Sequence, residues 1–178
     1  PTFSNKESFF LIADQKVADF TLDYTRPMKH GLLETGVKFR RRTIPTDMQF
    51  NPAATNSVLD TGADGKATYT ETIPALYGNY TYEVKKLEAE LGLRMEYVNL
   101  SYAVDPNHNT YTSNGYDYLQ PFPNARIAYK LNNHNKLSAF YNRRVDRPDE
   151  GDIRIFPKYD DAEIIKVGNP GLQPQFTN

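Results

Sequence analysis

Three histidines, a scatter of carboxylates and no cysteine are the reactive inventory of this chain. His30, His108 and His134 lie far apart, each among turn-forming residues, and no two have the spacing of metal ligands. Asp60, Asp64 and Gly65 have the residue types of a calcium loop, but the spaced acidic ligands and closing Glu of that loop are absent. Asp149, Glu150 and Asp152, and the pair Asp160 and Asp161, have the chemistry for paired acid–base work. In a long polar loop the ordinary role of such carboxylates is solvation. No nucleophile elbow, phosphate loop or dinucleotide fingerprint occurs. Without cysteine there is no thiolate nucleophile, thiolate metal site or disulfide. The sequence therefore predicts no enzyme, no catalytic residue, no metal and no cofactor.

Recognition is then the function left, and recognition lives on loops carried by a rigid scaffold. Tyr111, Tyr116 and Tyr118 read as one aromatic loop with the chemistry to stack on a sugar or an aromatic ligand. Ordinary loop contacts explain them equally well, so the ligand-binding residues stay unassigned.

The scaffold is legible from composition and periodicity. Among 178 residues, 21 Lys and Arg face 22 Asp and Glu, a net charge of -1, which leaves no cationic surplus for nucleic acid. No apolar run approaches the roughly 18 residues of a membrane helix, and no secretory leader is seen. Yet Tyr 13 and Phe 10 stand beside Trp 0 in a chain of mean hydropathy -0.67. Aromatics and Thr form strands. A secreted sandwich fits this composition, and so does a membrane β-barrel, whose strands alternate and never look hydrophobic on average.

Period-2 alternation recurs along the chain. Leu87, Ala89, Leu91, Leu93, Met95 and Tyr97 share one parity, with Glu88, Glu90, Gly92, Arg94 and Glu96 on the other. A helix would spread those charges round its circumference, so this is a two-faced strand. Similar strands run through Phe20–Tyr24, Leu33–Phe39, Ala125–Leu131 and Leu137–Tyr141, the last interrupted by Phe140. The stretch Tyr69–Tyr82 is a sixth strand whose inward parity Pro74 and Gly78 blur. Residues 1–17 contribute part of another.

The connections alternate in length. Short ones lie near Lys29–Gly31, Glu83–Lys85 and Asn132–Asn135; long ones run over 41–66, 99–118 and 145–169. One rim of the sheet therefore carries tight turns and the other large loops, the asymmetry of outer-membrane barrels. A sandwich more often mixes loop lengths at both ends.

The last third reads Tyr141-Asn142-Arg143-Arg144-Val145-Asp146-Arg147-Pro148, then Phe156-Pro157, then Gly168-Asn169-Pro170-Gly171-Leu172-Gln173-Pro174 and on to Asn178. This resembles the barrel domain of TonB-dependent outer-membrane receptors, in the group called the outer membrane protein beta-barrel family. The resemblance rests on Arg147 and Pro148, and on Gly168, Asn169, Pro170, Leu172, Pro174 and Asn178. Asp23-Tyr24-Thr25-Arg26-Pro27, Glu34-Thr35-Gly36, Gly92-Leu93-Arg94-Met95-Glu96 and Tyr129-Lys130-Leu131 are similar to earlier strands of the same barrels. One departure is Ile153-Arg154-Ile155-Phe156, where that family carries Leu-Asn-Pro-Phe. The signature residues read as structural: Gly168 permits a turn, Pro170 extends Asn169, and Pro174 suits the first position of a strand.

The expected fold is thus all-β, an antiparallel up-and-down meander forming a segment of a transmembrane β-barrel. Residues 1–178 are one partial barrel domain of about six strands, cut from a longer chain. The resemblance implies a bacterial outer-membrane receptor that takes up a scarce ligand using energy relayed by TonB. It implies as partners the outer-membrane lipid, a plug domain and further strands outside these residues, the TonB complex, and an unknown small ligand. The alternative is a soluble β-sheet binding or adhesion module.

Overall fold

Alternating side chains build long strands here, and the computed structural model describes them over residues 8–51, 64–105, 113–153, 158–161, 164–166, 168–169 and 171–178. The strands are β1 (Ser8–Ala13), β2 (Lys16–Met28), β3 (Gly31–Asn51), β4 (Gly65–Val84), β5 (Leu87–Val104), β6 (Asn114–Lys130) and β7 (Lys136–Asn142). They form a single antiparallel sheet in the order β1-β3-β4-β5-β6-β7, with β2 also on β3. The sheet curls into half a barrel. After β7 come β8 (Arg144–Asp146), α1 (Glu150–Ile153), β9 (Lys158–Asp161), β10 (Ile164–Lys166) and β11 (Gln175–Thr177).

Of residues 1–17, the described ones, 8–17, do not supply a further neighbouring strand. Ala13 lies opposite Thr46 and Lys16 opposite Thr43, so β1 and β2 are one line of chain along β3 with no slip in register. The break at Asp14 and Gln15 lies beside Pro45, which has no N–H to give the ladder. The Pro45 carbonyl still accepts from Asp14 N at 3.3 Å.

Tight turns join the strands along one rim. Lys29 and His30 link β2 to β3, and Lys85 and Lys86 link β4 to β5, with Lys85 at φ 50°. At 131–135 the Asn132 side-chain oxygen accepts from His134 N at 2.9 Å and Asn135 N at 2.8 Å, an Asx turn joining β6 to β7. The composition of 41–66 and 99–118 predicts two long connections at the other rim. Strand pairing instead continues through much of both, to Asn51, Gly65, Val104 and Asn114.

Register settles which side chains share a face. Inward are the even residues of β3, β5 and β6 and the odd residues of β4. Outward lie Phe20, Leu22 and Tyr24 of β2, Leu76 of β4, Leu91 and Leu93 of β5 and Ile127 of β6, all large, apolar and exposed. Leu91, for one, keeps 55% of its surface free, while inward Val98 of the same strand keeps 1%. A long apolar surface left open on strands is a lipid surface in the making. Phe140, which breaks the alternation of β7, points to the inward side of that edge strand and is exposed.

The apolar outward band ends along one register row. Phe20 pairs with Phe39, Phe39 with Pro74, and Tyr97 with Leu119; Pro74 faces Tyr97 between the pairs Thr72–Asn99 and Ala75–Glu96. The next outward row is Ala18, Arg41, Thr72, Asn99 and Asp117. On β5 the band spans Leu87 to Tyr97, matching the ~9–11 residues a tilted strand needs to cross a bilayer.

Above that row the two faces exchange character. The inward side, charged below, becomes a buried apolar cluster: Ile44, Met48 and Phe50 from β3, Ala67 and Tyr69 from β4, Leu100, Tyr102 and Val104 from β5. The outward side of β3, β4 and β5 becomes mostly polar, including Arg41, Thr43, Asp47, Thr70, Lys66, Asn99 and Ser101, while β1 at the edge keeps Phe10 and Ile12 exposed outward. That polarity fits water rather than lipid outside the upper parts of β3, β4 and β5, whose apolar residues turn inward as in a soluble sheet.

Candidate functional site: the inward wall

At the level of the lipid band the inward face is a ladder of polar groups. Asp23 of β2 accepts from the Tyr77 hydroxyl of β4, whose ring crosses over Gly36 of β3. A side chain at position 36 would press on the Leu22 carbonyl and on that ring, so glycine is needed for the crossing. Asn79 donates to Glu90 at 3.2 Å and to Glu34 at 3.5 Å. Arg40 pairs with Asp19 at 3.3 Å. Near the tight turns Glu88 holds Lys130 at 2.9 Å and also Lys136. A cavity of about 530 Å³ opens on this wall, lined by Lys38, Tyr77, Asn79, Arg94, Asn124 and Arg143 among others.

Just above, ionic groups are buried beneath the apolar cluster. Glu71 is buried and lies 3.5 Å from Arg42, whose guanidinium also stacks over the Tyr69 ring. Glu96 is buried between Arg94, at 2.7 Å, and Arg147. A guanidinium thus faces each of these buried carboxylates.

Several described residues after β7 meet this face. Ile153, at the end of α1, sits in the apolar cluster. Phe176 of β11 meets Tyr118 edge-on at 5.9 Å and Phe122 at 6.1 Å, and the Arg143 guanidinium stacks over it at 5.0 Å. Arg143 and Arg147 turn inward, to Phe176 and to Glu96. Pro148 follows, half-buried.

The other signature residues occupy the return path. Gly168 is half-buried; Asn169 N donates to the Asp152 carbonyl at 2.7 Å, and the Asn169 side chain accepts from Gly171 N at 2.9 Å. Pro170 lies outside the described residues. The Leu172 carbonyl accepts from the Tyr116 hydroxyl at 3.2 Å. Pro174 immediately precedes β11, which pairs antiparallel with β8. Asn178 accepts from the Tyr141 hydroxyl at 3.2 Å.

Other residues singled out from sequence have simpler places. His30 and His134 occupy tight turns, and His30 meets the Tyr82 ring edge-on at 6.3 Å. His108, Asp60 and Tyr111 lie outside the described residues. The Asp64 carboxylate accepts from Phe50 N at 3.3 Å, and Gly65 opens β4. Asp149 and Asp152 accept from each other's backbone N–H, at 3.4 and 3.2 Å, closing the turn of α1 that begins at Glu150. Asp160 and Asp161 belong to β9. Among the described residues no three His, Asp or Glu side chains are grouped to hold a metal.

Tyr116 and Tyr118 do not form a loop. They lie on the inward face of β6 with rings stacked at 6.1 Å. Burial pushes the Tyr116 hydroxyl from 10.0 up to about 12, helped by neighbouring Tyr118 and Glu71. Burial and Glu71 raise Tyr69 as well. A folded-state value above the unfolded one means stability that is whole below pH 10 and is lost as pH rises toward 12. Phenolate absorbance should therefore show exposed tyrosines ionising near pH 10 and a later wave near 12, which Tyr116→Phe diminishes. A single wave near 10 would contradict this burial.

The inward apolar cluster is what the sequence reading missed, although its signal is present. Val98, Leu100, Tyr102 and Val104 alternate with Asn99, Ser101 and Ala103, on the parity opposite to Leu87–Tyr97. Ile44, Thr46, Met48 and Phe50 do the same in β3.

Searches of curated proteins and of solved structures returned no match. The family model described as the outer membrane protein beta-barrel family matches residues 4–178. With nearly the whole chain inside that match, and an apolar band facing out from a polar wall, the chain belongs to the outer membrane protein beta-barrel family and resides in the bacterial outer membrane.

Proposed function

We propose that this chain is part of the wall of a TonB-dependent receptor, which takes up a scarce ligand with energy relayed through TonB. The observation that carries the reading is the inward wall: polar and ion-paired at lipid level, yet filled above by a buried apolar cluster. A passive porin keeps its channel open to water. A wall sealed toward the outside suits a barrel that opens only when driven. Among the described residues β2 and β7 have no partner on their outer edges, and six wall strands fall short of the ~8 of the smallest barrels. Further strands close the barrel in this reading, to the ~22 typical of plugged transporters. The polar wall then faces a plug domain, and the barrel does no chemistry on its ligand. The soluble-module alternative leaves the outward apolar band without a role.

Two measurements on the whole protein in its native membrane test this. Site-specific cross-linking in cells should join it to TonB, and planar bilayers containing it should show no steady conductance. A steady ohmic channel without cross-linking above a porin control would make it a passive pore.

A further inference from the structure

We propose that the tight-turn rim binds the phosphate headgroup of an anionic phospholipid in the periplasmic leaflet. The site lies between the Lys85–Lys86 turn and the turn at 131–135, which border a cavity of about 650 Å³. Lys85, Lys86, Lys130 and Lys136 line it, with His134 and Asn133. Two of these ammonium groups are already engaged, since Lys130 and Lys136 share the Glu88 carboxylate. Glu83 also acts on Lys130. Lys86 reaches only the Leu131 carbonyl, at 3.5 Å, and Lys85 has no partner among the described residues. Four ammonium groups against two carboxylates leave two positive charges at the mouth of the cavity.

The backbone adds an independent observation. Lys85 sits at φ 50°, a left-handed conformation that Gly or Asn adopts at lower cost. Lysine at that position carries the strain and contributes an ammonium at the rim.

The surroundings choose the ligand. Leu87, Tyr129, Leu131 and Leu137 are exposed around the same turns, at the lower end of the outward apolar band. A free anion would use the lysines and leave this collar bare. Because Lys130 and Lys136 face inward and the leucines outward, a phospholipid joins the two by bending over the rim, with acyl chains against the leucines and the phosphate on the turn lysines Lys85 and Lys86. Tight turns of such barrels face the periplasm, so the lipid belongs to that leaflet. This inference rests on membership of the barrel family and not on the TonB reading.

The test uses the whole barrel purified from the outer membrane and stripped of lipid. Native mass spectrometry would follow binding of phosphatidylglycerol, phosphatidylethanolamine and inorganic phosphate. Phosphatidylglycerol should bind in clear preference, and Lys85→Asn with Lys86→Gln should weaken it about twenty-five-fold, at about five-fold per lysine. Lys66→Gln, on β4 at the opposite rim, should leave binding unchanged. Unaltered heat-dependent gel migration would show that each variant is folded. Equal binding of the two phospholipids, displacement by equimolar inorganic phosphate, or full binding by the folded double variant would each overturn the proposal.

Discussion

Replacing Leu91 with arginine should destabilise the folded barrel by about 2–4 kcal/mol, while the same charge at Asn99 should cost about 0–1 kcal/mol. Both side chains point outward from β5, which pairs without slip against β6 through both positions. Leu91 lies mid-band, between Tyr80 of β4 and Ala125 of β6. Asn99 is the first outward residue above Tyr97. A guanidinium at 91 must be dragged into hydrocarbon or must bend the bilayer toward itself; at 99 it meets water. Equilibrium unfolding of the whole barrel from phospholipid vesicles measures both costs. Equal costs at the two positions would mean that no lipid boundary runs between Tyr97 and Asn99. The outward apolar band would then need a protein partner to cover it.

Glu96→Gln should cost about 2–4 kcal/mol and loosen the chain beyond β7. Glu96 is buried and holds two guanidiniums, Arg94 from its own strand and Arg147 from the segment that folds back. Removing its charge while both arginines stay leaves them repelling one another in a poorly solvated place. A fully buried pair broken on one side costs about 3–5 kcal/mol, and partial exposure of Arg147 lowers that figure. Arg94→Gln is the contrast. Arg94 is 44% exposed, and its loss leaves Glu96 paired with Arg147, so the cost should stay at about 0–1 kcal/mol. Proteolysis between Arg147 and Ile153 should quicken in Glu96→Gln and remain slow in Arg94→Gln. If both variants are cut at the same rate, the Glu96–Arg147 contact does not anchor that segment.

The two substitutions probe different layers of what the sequence discloses. The outward band is legible because lipid penalises charge at every position it touches, so Leu87 to Tyr97 must alternate without exception. The inward ion pairs are less legible. Asp23 and Tyr77 are partners across an intervening strand, and β6, β7 and β8 separate Glu96 from Arg147 along the chain. Nothing in their spacing couples them. Tyr116 and Tyr118 illustrate the same limit: beside Asn114 and Gly115 they read as loop residues, and only pairing with Leu100 and Val98 shows them to be wall.

By itself, then, the sequence determined the period, the lipid-facing parity, the rim with tight turns and the family, because each follows from neighbours along the chain. Tertiary structure decided the rest. It made β1 and β2 a single line along β3, carried strands through segments rich in Pro and Asn, and aligned the ends of five apolar runs on one register row. It also turned the upper apolar residues inward, away from water, to meet Ile153. The physical reason is that a strand's alternation says which residues share a face, but not what lies against it. Outside, lipid below Tyr97 gives way to water above it, and only the assembled sheet, with Ile153 and Phe176 against its inner side, assigns each face its neighbour.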